Sequence, residues 1–150
     1  MVTTKWLSKF DKSSDAYLIR KEVFIKEQNI PEELEVDSLD ESAHHLVVYE
    51  NDTPVATGRL IIKDGKYYAG RIAVLKEHRG KHFGDLVVRM LVRKAFDLGA
   101  KEVHLHAQTR VKEFYEKIGF KAYGETFLDA GIEHISMVIK EDVHGHCCKQ

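Results

Sequence analysis

The chain has 150 residues and two prolines, a length that can bury a substantial core and asks for one domain, 1–142, without a linker. Its 23 Lys and Arg nearly cancel its 24 Asp and Glu, so the total gives no reason to expect nucleic acid or an anionic membrane as partner. No apolar run reaches membrane-spanning length, residues 1–6 lead into no signal-peptide core, and the only cysteines, Cys147 and Cys148, are adjacent and cannot staple the fold, so a cytoplasmic location is expected.

In chain order, residues 3–10 read as a first strand, and Asp11 to Asp15 supply capping residues for a helix carrying Leu18, Ile19, Val23 and Phe24 that ends near Gln28. Residues 31–35 fit a single helical turn. The acidic stretch that continues through Asp40 and Glu41 reads as an exposed loop, its carboxylates either near a cationic substrate or simply solvated. From His44 the apolar period changes to that of strands, over residues 45–49, 55–62 and 67–74, joined by turns at 51–54 and at Asp64-Gly65. Three successive antiparallel strands result.

Leu86, Val87, Met90, Leu91, Ala95 and Leu98 then recur at three and four residues, a helix opening at Phe83 and closing at Gly99, with Arg89, Arg93 and Lys94 toward its negative end. Val103, Leu105 and Ala107 alternate with His104, His106 and Gln108 as a strand, and the intervening helix lets this strand lie parallel to the one ending at Val74. His104 and His106 share a face, which reads as a polar face rather than a metal pair, since no third ligand is identifiable. Thr109 is read as the cap of a short helix holding Val111, Phe114, Tyr115 and Ile118, stopped by Gly119, and strands follow at 120–127 and 132–140. Residues 143–150 lack apolar period and are expected to be a disordered tail, the alternative being soft-metal chelation by His144, His146, Cys147 and Cys148.

The most informative stretch is 71–84, where an apolar strand runs into a basic, glycine-bearing turn that opens a helix. Unpaired N–H groups at the helix start, glycines that admit close approach, and the charges of Arg79 and Lys81 suit a phosphate or pyrophosphate. A nucleoside-triphosphate loop is excluded, because Leu75 and His82 stand where its glycine and its Ser or Thr belong. No stretch supplies the three glycines of a dinucleotide fingerprint. An ordinary strand-to-helix turn with solvated basic residues remains the bland alternative.

Ile72-Ala73-Val74 followed by Arg79-Gly80-Lys81-His82-Phe83-Gly84 resembles the acyl-CoA pyrophosphate loop of the GNAT superfamily of N-acetyltransferases. Phe114-Tyr115-Glu116-Lys117-Ile118-Gly119-Phe120 is similar to that family's second signature, and Glu27-Gln28, His106-Ala107-Gln108 and His134 resemble its small bacterial ElaA-like branch. The resemblance covers nearly the whole chain. It implies a mixed α/β GNAT fold: a mostly antiparallel sheet of about seven strands, with a parallel pair at the acyl-CoA cleft and helices flanking it. It also implies acetyl-CoA as cosubstrate, no metal, and an amine acceptor on a small molecule or peptide, with a homodimer left open.

By the same resemblance, Ile72, Ala73 and Val74 would offer backbone groups to the pantetheine arm, and Arg79, Gly80, Lys81, His82, Phe83 and Gly84 would hold the pyrophosphate. Gln108 and Phe114 would complete the cofactor site. His82 departs from the family's usual glycine, and Gln108 from its usual Asn. A left-handed backbone at His82 is therefore expected to be less easy.

Tyr115 resembles the family's general acid, its phenol returning a proton to the CoA thiolate, whereas a packing aromatic is the plainer reading. Glu27 and His134 are the candidates for the base that deprotonates the amine; a structural hydrogen bond is the alternative for each. A non-catalytic acyl-CoA sensor on the same fold is the rival to the enzyme.

Overall fold

Strand β1 (Val2–Leu7) leads into helix α1 (Asp15–Arg20), which passes into a π-helical run, Lys21–Glu27, and a short helix α2 (Glu32–Glu35) in the computed structural model, which describes residues 1–141. Strands β2 (His44–Glu50), β3 (Thr53–Lys63) and β4 (Lys66–Val74) form an antiparallel meander. Helix α3 (Phe83–Asp97) crosses over to β5 (Glu102–Gln108), parallel to β4, and α4 (Lys112–Ile118) precedes the hairpin of β6 (Lys121–Asp129) and β7 (Ile132–Lys140). The seven strands lie in the order β1–β2–β3–β4–β5–β7–β6, the architecture the resemblance implies. The expectations for residues 143–150 lie outside the described residues.

Each face of the sheet carries its own core. Val87, Leu91 and Ala95 recur at four residues along α3 and are fully buried against the face that also presents Leu46, Leu60, Leu105 and Met137. Gly58 in β3 makes this contact close: a Cβ there would sit 2.6 Å from Val87 Cγ1 and 2.9 Å from Leu91 Cδ1. On the opposite face Ala16, Ile19 and Val23 cover Val47 and Ala73.

Two irregularities of β4 open the molecule. Its parallel pairing with β5 is confined to Tyr67 with Val103 and Tyr68 with His104, so beyond Tyr68 the two strands diverge. Opposite β3, Thr57 pairs with Ala73 but Arg59 pairs with Gly70, so that Arg71 and Ile72 together face Gly58 in a β-bulge. Arg71 takes φ 48° there, a left-handed conformation that side chains with a Cβ rarely adopt.

Three sequence expectations need correction. β1 ends at Leu7, short of Phe10, whose ring instead stacks on His45 at 4.4 Å. Thr109 does not cap α4: it opens a 3₁₀ turn, and its hydroxyl donates to Glu133 Oε1 at 2.8 Å. The acidic stretch is not an exposed loop. Glu35 and Asp40 are 1% and 3% exposed and are consumed by buried guanidinium groups.

In that network Arg20 donates through Nε to Glu35 Oε2 at 2.7 Å and through Nη1 to Asp40 Oδ1 at 2.8 Å. Arg59 Nη1 donates to both Asp37 Oδ1 and Asp40 Oδ1 at 2.8 Å. Burial of an unpaired charge costs several kcal/mol or more, so the carboxylates that sequence reading places in solvent are held inside by the arginines. Burial pushes the Asp40 carboxyl up, but the hydrogen bond and charge of Arg20, together with Arg59, outweigh it and bring it down to about 2.

Candidate active site

The turn between β4 and α3 has the form of an anion cradle, with its backbone donors left open. Gly80 (φ 85°) and His82 (φ 67°) are both left-handed, and none of the backbone N–H groups of residues 80–85 donates to an acceptor among the described residues. His82 does adopt the left-handed backbone that its side chain makes less easy, and as N-cap of α3 it makes no side-chain cap bond. The helix start is thus left open to an external acceptor, at the positive end of a 15-residue dipole. A hollow of about 280 Å³ lies here, lined by Val74, Arg79, Gly80, His82, Phe83, Gly84 and Phe114 among others. A Cβ on Gly84 would already touch Phe114 Cζ at 3.5 Å and Val74 Cγ2 at 3.7 Å. Lys81 lines neither this hollow nor the main cleft, and its ammonium donates to Glu50 Oε1 at 3.2 Å.

The divergence of β4 from β5 opens the main cleft, of about 950 Å³, and its lining includes Ile72, Ala73, Val74, Arg79, Gly84, Gln108, Phe114, Tyr115, Glu27 and His134. The backbone of Val74 faces this gap. Leu75 N–H bonds to Val55 O at 2.9 Å, so the alternation of an antiparallel ladder turns the N–H and C=O of Val74 away from β3. Its carbonyl accepts from Arg79 Nε at 3.0 Å. A strand edge of this kind fits an extended amide-bearing chain laid beside it.

Tyr115 is 9% exposed, wedged edge-on between Phe114 and Phe120. Burial alone pushes its phenol up to about 12, with no hydrogen-bonded partner contributing, so the hydroxyl is protonated across the physiological range. His134 Nδ1 lies 2.7 Å from Ile132 O, and a carbonyl can only accept, so Nδ1 carries the proton and Nε2 of the neutral ring holds a lone pair. Its ring stacks on Phe127 at 5.9 Å. Glu27 is differently engaged: Arg79 grips both of its oxygens at 2.7 Å, and this hydrogen bonding lowers its carboxyl. Gln108 donates to Gln28 Oε1 at 3.1 Å and accepts from Arg110 Nε at 3.0 Å, joining β5 to the end of the first helix.

The π-helical turn shifts the register after Arg20, and Val23, Phe24, Glu27 and Gln28 all line the cleft. Several other lining groups escape sequence reading. Tyr68 and His106, with ring centroids 5.8 Å apart, line the side toward β6, and His106 meets Phe127 at 5.1 Å. Arg71, whose position on the bulge no periodicity reveals, also lines it. His104 has neither ring nitrogen free to act as a ligand, since they lie 3.0 Å from Tyr123 Oη and 2.7 Å from Glu102 Oε2. Among the described residues, no group of three or more His, Cys, Asp or Glu is placed to hold a metal ion, and no helix is long and apolar enough to cross a membrane.

The family profile described as the acetyltransferase (GNAT) domain matches residues 10–141. The chain belongs to the GNAT acetyltransferase family. It is accordingly an acyltransferase, and the fold and the ElaA-like resemblance both stand. It is 45% identical over 125 residues to the "Uncharacterized N-acetyltransferase YjcF" of Bacillus subtilis, covering 83% of this chain and 89% of that protein. The crystal structure of Escherichia coli ElaA superposes with a TM-score of 0.82 at 27% identity, over 93% of this chain and 100% of that one. An acyl-CoA N-acyltransferase from Pseudomonas aeruginosa superposes at 0.80 with 28% identity, over 93% and 98% of the two chains. Within the GNAT frame, the open amides of 80–85 and the splayed edge at Val74 fall on the stretches that resemble the family's acyl-CoA signatures.

Proposed function

We propose that this protein transfers the acetyl group of acetyl-CoA to a primary amine by direct attack in a ternary complex. The observation that carries the reading is that the hollow at the anion cradle and the main cleft share Val74, Arg79, Gly84 and Phe114, and that the cleft also holds a Val74 N–H turned away from β3, a protonated Tyr115 and a His134 with its Nε2 lone pair unspent. The residues present fit the cosubstrate. The amides of Gly80, Lys81, His82, Phe83 and Gly84 receive the pyrophosphate, the backbone of Ile72, Ala73 and Val74 receives the pantetheine amides, and Gln108 and Phe114 flank the arm.

Acetyl-CoA, when bound, supplies a thioester carbonyl to a neutral amine. His134 Nε2 takes the proton of the arriving ammonium, directly or through one water. The Val74 N–H polarises the carbonyl. As the carbon–sulfur bond breaks and the carbon–nitrogen bond forms, Tyr115 gives its proton to sulfur and regains one from the amine nitrogen through solvent. Glu27 is assigned to holding Arg79, because a carboxylate already saturated by a guanidinium is a poor proton acceptor.

The test is acetyl-dependent thiol release across polyamines, aminoglycosides, amino acids and lysine peptides, with the N-acetyl product verified by mass. Acceptor-dependent release is expected. Tight acetyl-CoA binding without release on any amine would instead identify an acyl-CoA sensor.

A further inference from the structure

Arg71 is the most exposed arginine of the buried network, and it keeps a terminal nitrogen to spare, whereas Arg20 spends all three of its nitrogens and Arg59 both of its terminal ones. Its Nε and Nη2 donate to Glu35 O at 3.0 and 2.9 Å, and Nη2 reaches Leu34 O at 3.3 Å and Asp37 Oδ2 at 3.4 Å. Nη1 makes no hydrogen bond among the described residues and is not shut from solvent. The side chain is 26% exposed, against 1% for Arg20 and 7% for Arg59, and it lines the main cleft.

Its charge is also the least compensated of the three. The carboxylates nearest to it, Glu35 at 3.2 Å and Asp37 at 3.4 Å, are each bound more closely by another arginine: Glu35 by Arg20 at 2.7 Å, Asp37 by Arg59 at 2.8 Å. Burial, followed by the like charges of Arg59 and Arg20, lowers the Arg71 guanidinium, the direction that an added anion would reverse. The backbone that carries it is the left-handed residue of the β4 bulge, two positions before Ala73 on the edge assigned to the acyl donor. Strained residues held by their surroundings concentrate at functional sites, and here the strain fixes a guanidinium beside the reacting strand.

We propose that Arg71 Nη1 binds a carboxylate of the acceptor, so that the acceptor is an amine that also bears a carboxylate, of the amino-acid class. This rests on the cleft being the acceptor site of the reaction proposed above. The opposing feature is the acidic side chains that also line the cleft, Asp64, Asp129 and, beside Arg71 itself, Asp37, which would favour a purely cationic amine. A fork nitrogen with two N–H groups and a permanent charge favours the carboxylate over a neutral oxygen.

The experiment compares matched pairs that differ only in the carboxylate: lysine with cadaverine, ornithine with putrescine, phenylalanine with phenethylamine, and γ-aminobutyrate with propylamine. Each is titrated calorimetrically into CoA-loaded protein and assayed separately for acetyl transfer. Charge-assisted hydrogen bonds predict that the carboxylated member of the best-binding pair is favoured roughly ten- to a hundredfold, and that Arg71→Gln erases this preference. Damage to the loop would weaken both members alike, so the ratio isolates the contact. Should Arg71→Gln fail to fold, Arg71→Lys carries the same comparison, with a reduced ratio expected. Preference for the decarboxylated amine, an unchanged ratio in the variant, or no binding by any carboxylated member overturns the proposal. Carboxylate-dependent binding without acetyl transfer would uphold it and sink the catalytic reading instead.

Discussion

Arg79 holds Glu27 through both terminal nitrogens, each 2.7 Å from a carboxylate oxygen, across a sequence separation of 52 residues. The same guanidinium bonds the Val74 carbonyl through Nε. The first residue of the loop proposed to hold the pyrophosphate is thereby tied to the end of the first helix and to the edge of β4. Glu27 belongs in this account to the positioning of the loop rather than to proton transfer.

Glu27→Gln should therefore act on cofactor affinity. The pair is roughly two-fifths exposed, and exposed ion pairs contribute about 0–1 kcal/mol, so CoA affinity should weaken by less than about tenfold. Turnover at saturating acetyl-CoA should be nearly unchanged. Calorimetry and saturation kinetics on the same preparation check this, and a fall in kcat with unaltered CoA affinity would return Glu27 to the role of base.

His134→Gln should do the reverse. Losing the proton acceptor should lower kcat by roughly 10²–10⁴-fold near neutral pH with CoA affinity intact. An alkylammonium near pKa 10.4 deprotonates unaided as pH rises, so the deficit should shrink at alkaline pH. A deficit constant with pH would mean that the ring is structural.

The buried charges make a separate prediction about acid stability. The folded Asp40 carboxyl lies near 2, below its ordinary 3.8, so its contribution is present above about pH 4 and is lost as pH falls toward 2. The difference is worth about 2 kcal/mol. Urea unfolding at pH 7, 4 and 2.5 should show that loss in the wild type. Asp40→Asn should be less stable at neutral pH, because Arg20 and Arg59 lose a shared partner, and should depend less on pH over that interval. Equal pH slopes for the two proteins would contradict the role given to Asp40.

Element order was legible because the periods are clean: α3 repeats at three and four residues, β2 to β4 alternate between turns, and Gly99 and Gly119 stand at helix ends. The cradle was legible for the same reason, since a strand, a glycine turn and a helix start leave their marks in adjacent residues. The acidic loop was not. Nothing local distinguishes Asp40 from a solvated aspartate, because Arg20 and Arg59, which bury it, are 20 and 19 residues away. The π-helical turn and the bulge at Arg71 escaped because each is a register change imposed by tertiary packing, and neither alters the apolar pattern. Glu27 showed its type and its place, but the Arg79 side chain that fixes its chemistry arrives from a distant loop.

The most direct test of the central claim removes one oxygen. Tyr115→Phe keeps the ring wedged between Phe114 and Phe120 and deletes only the buried hydroxyl, so fold and CoA affinity should be retained. With chemistry shown to be rate-limiting, kcat on acetyl-CoA should fall by roughly 10²–10⁴-fold, and by less for a donor whose thiol is more acidic and leaves unaided. Equal kcat for the two proteins would remove Tyr115 from the mechanism and contradict acid-assisted acetyl transfer in this cleft.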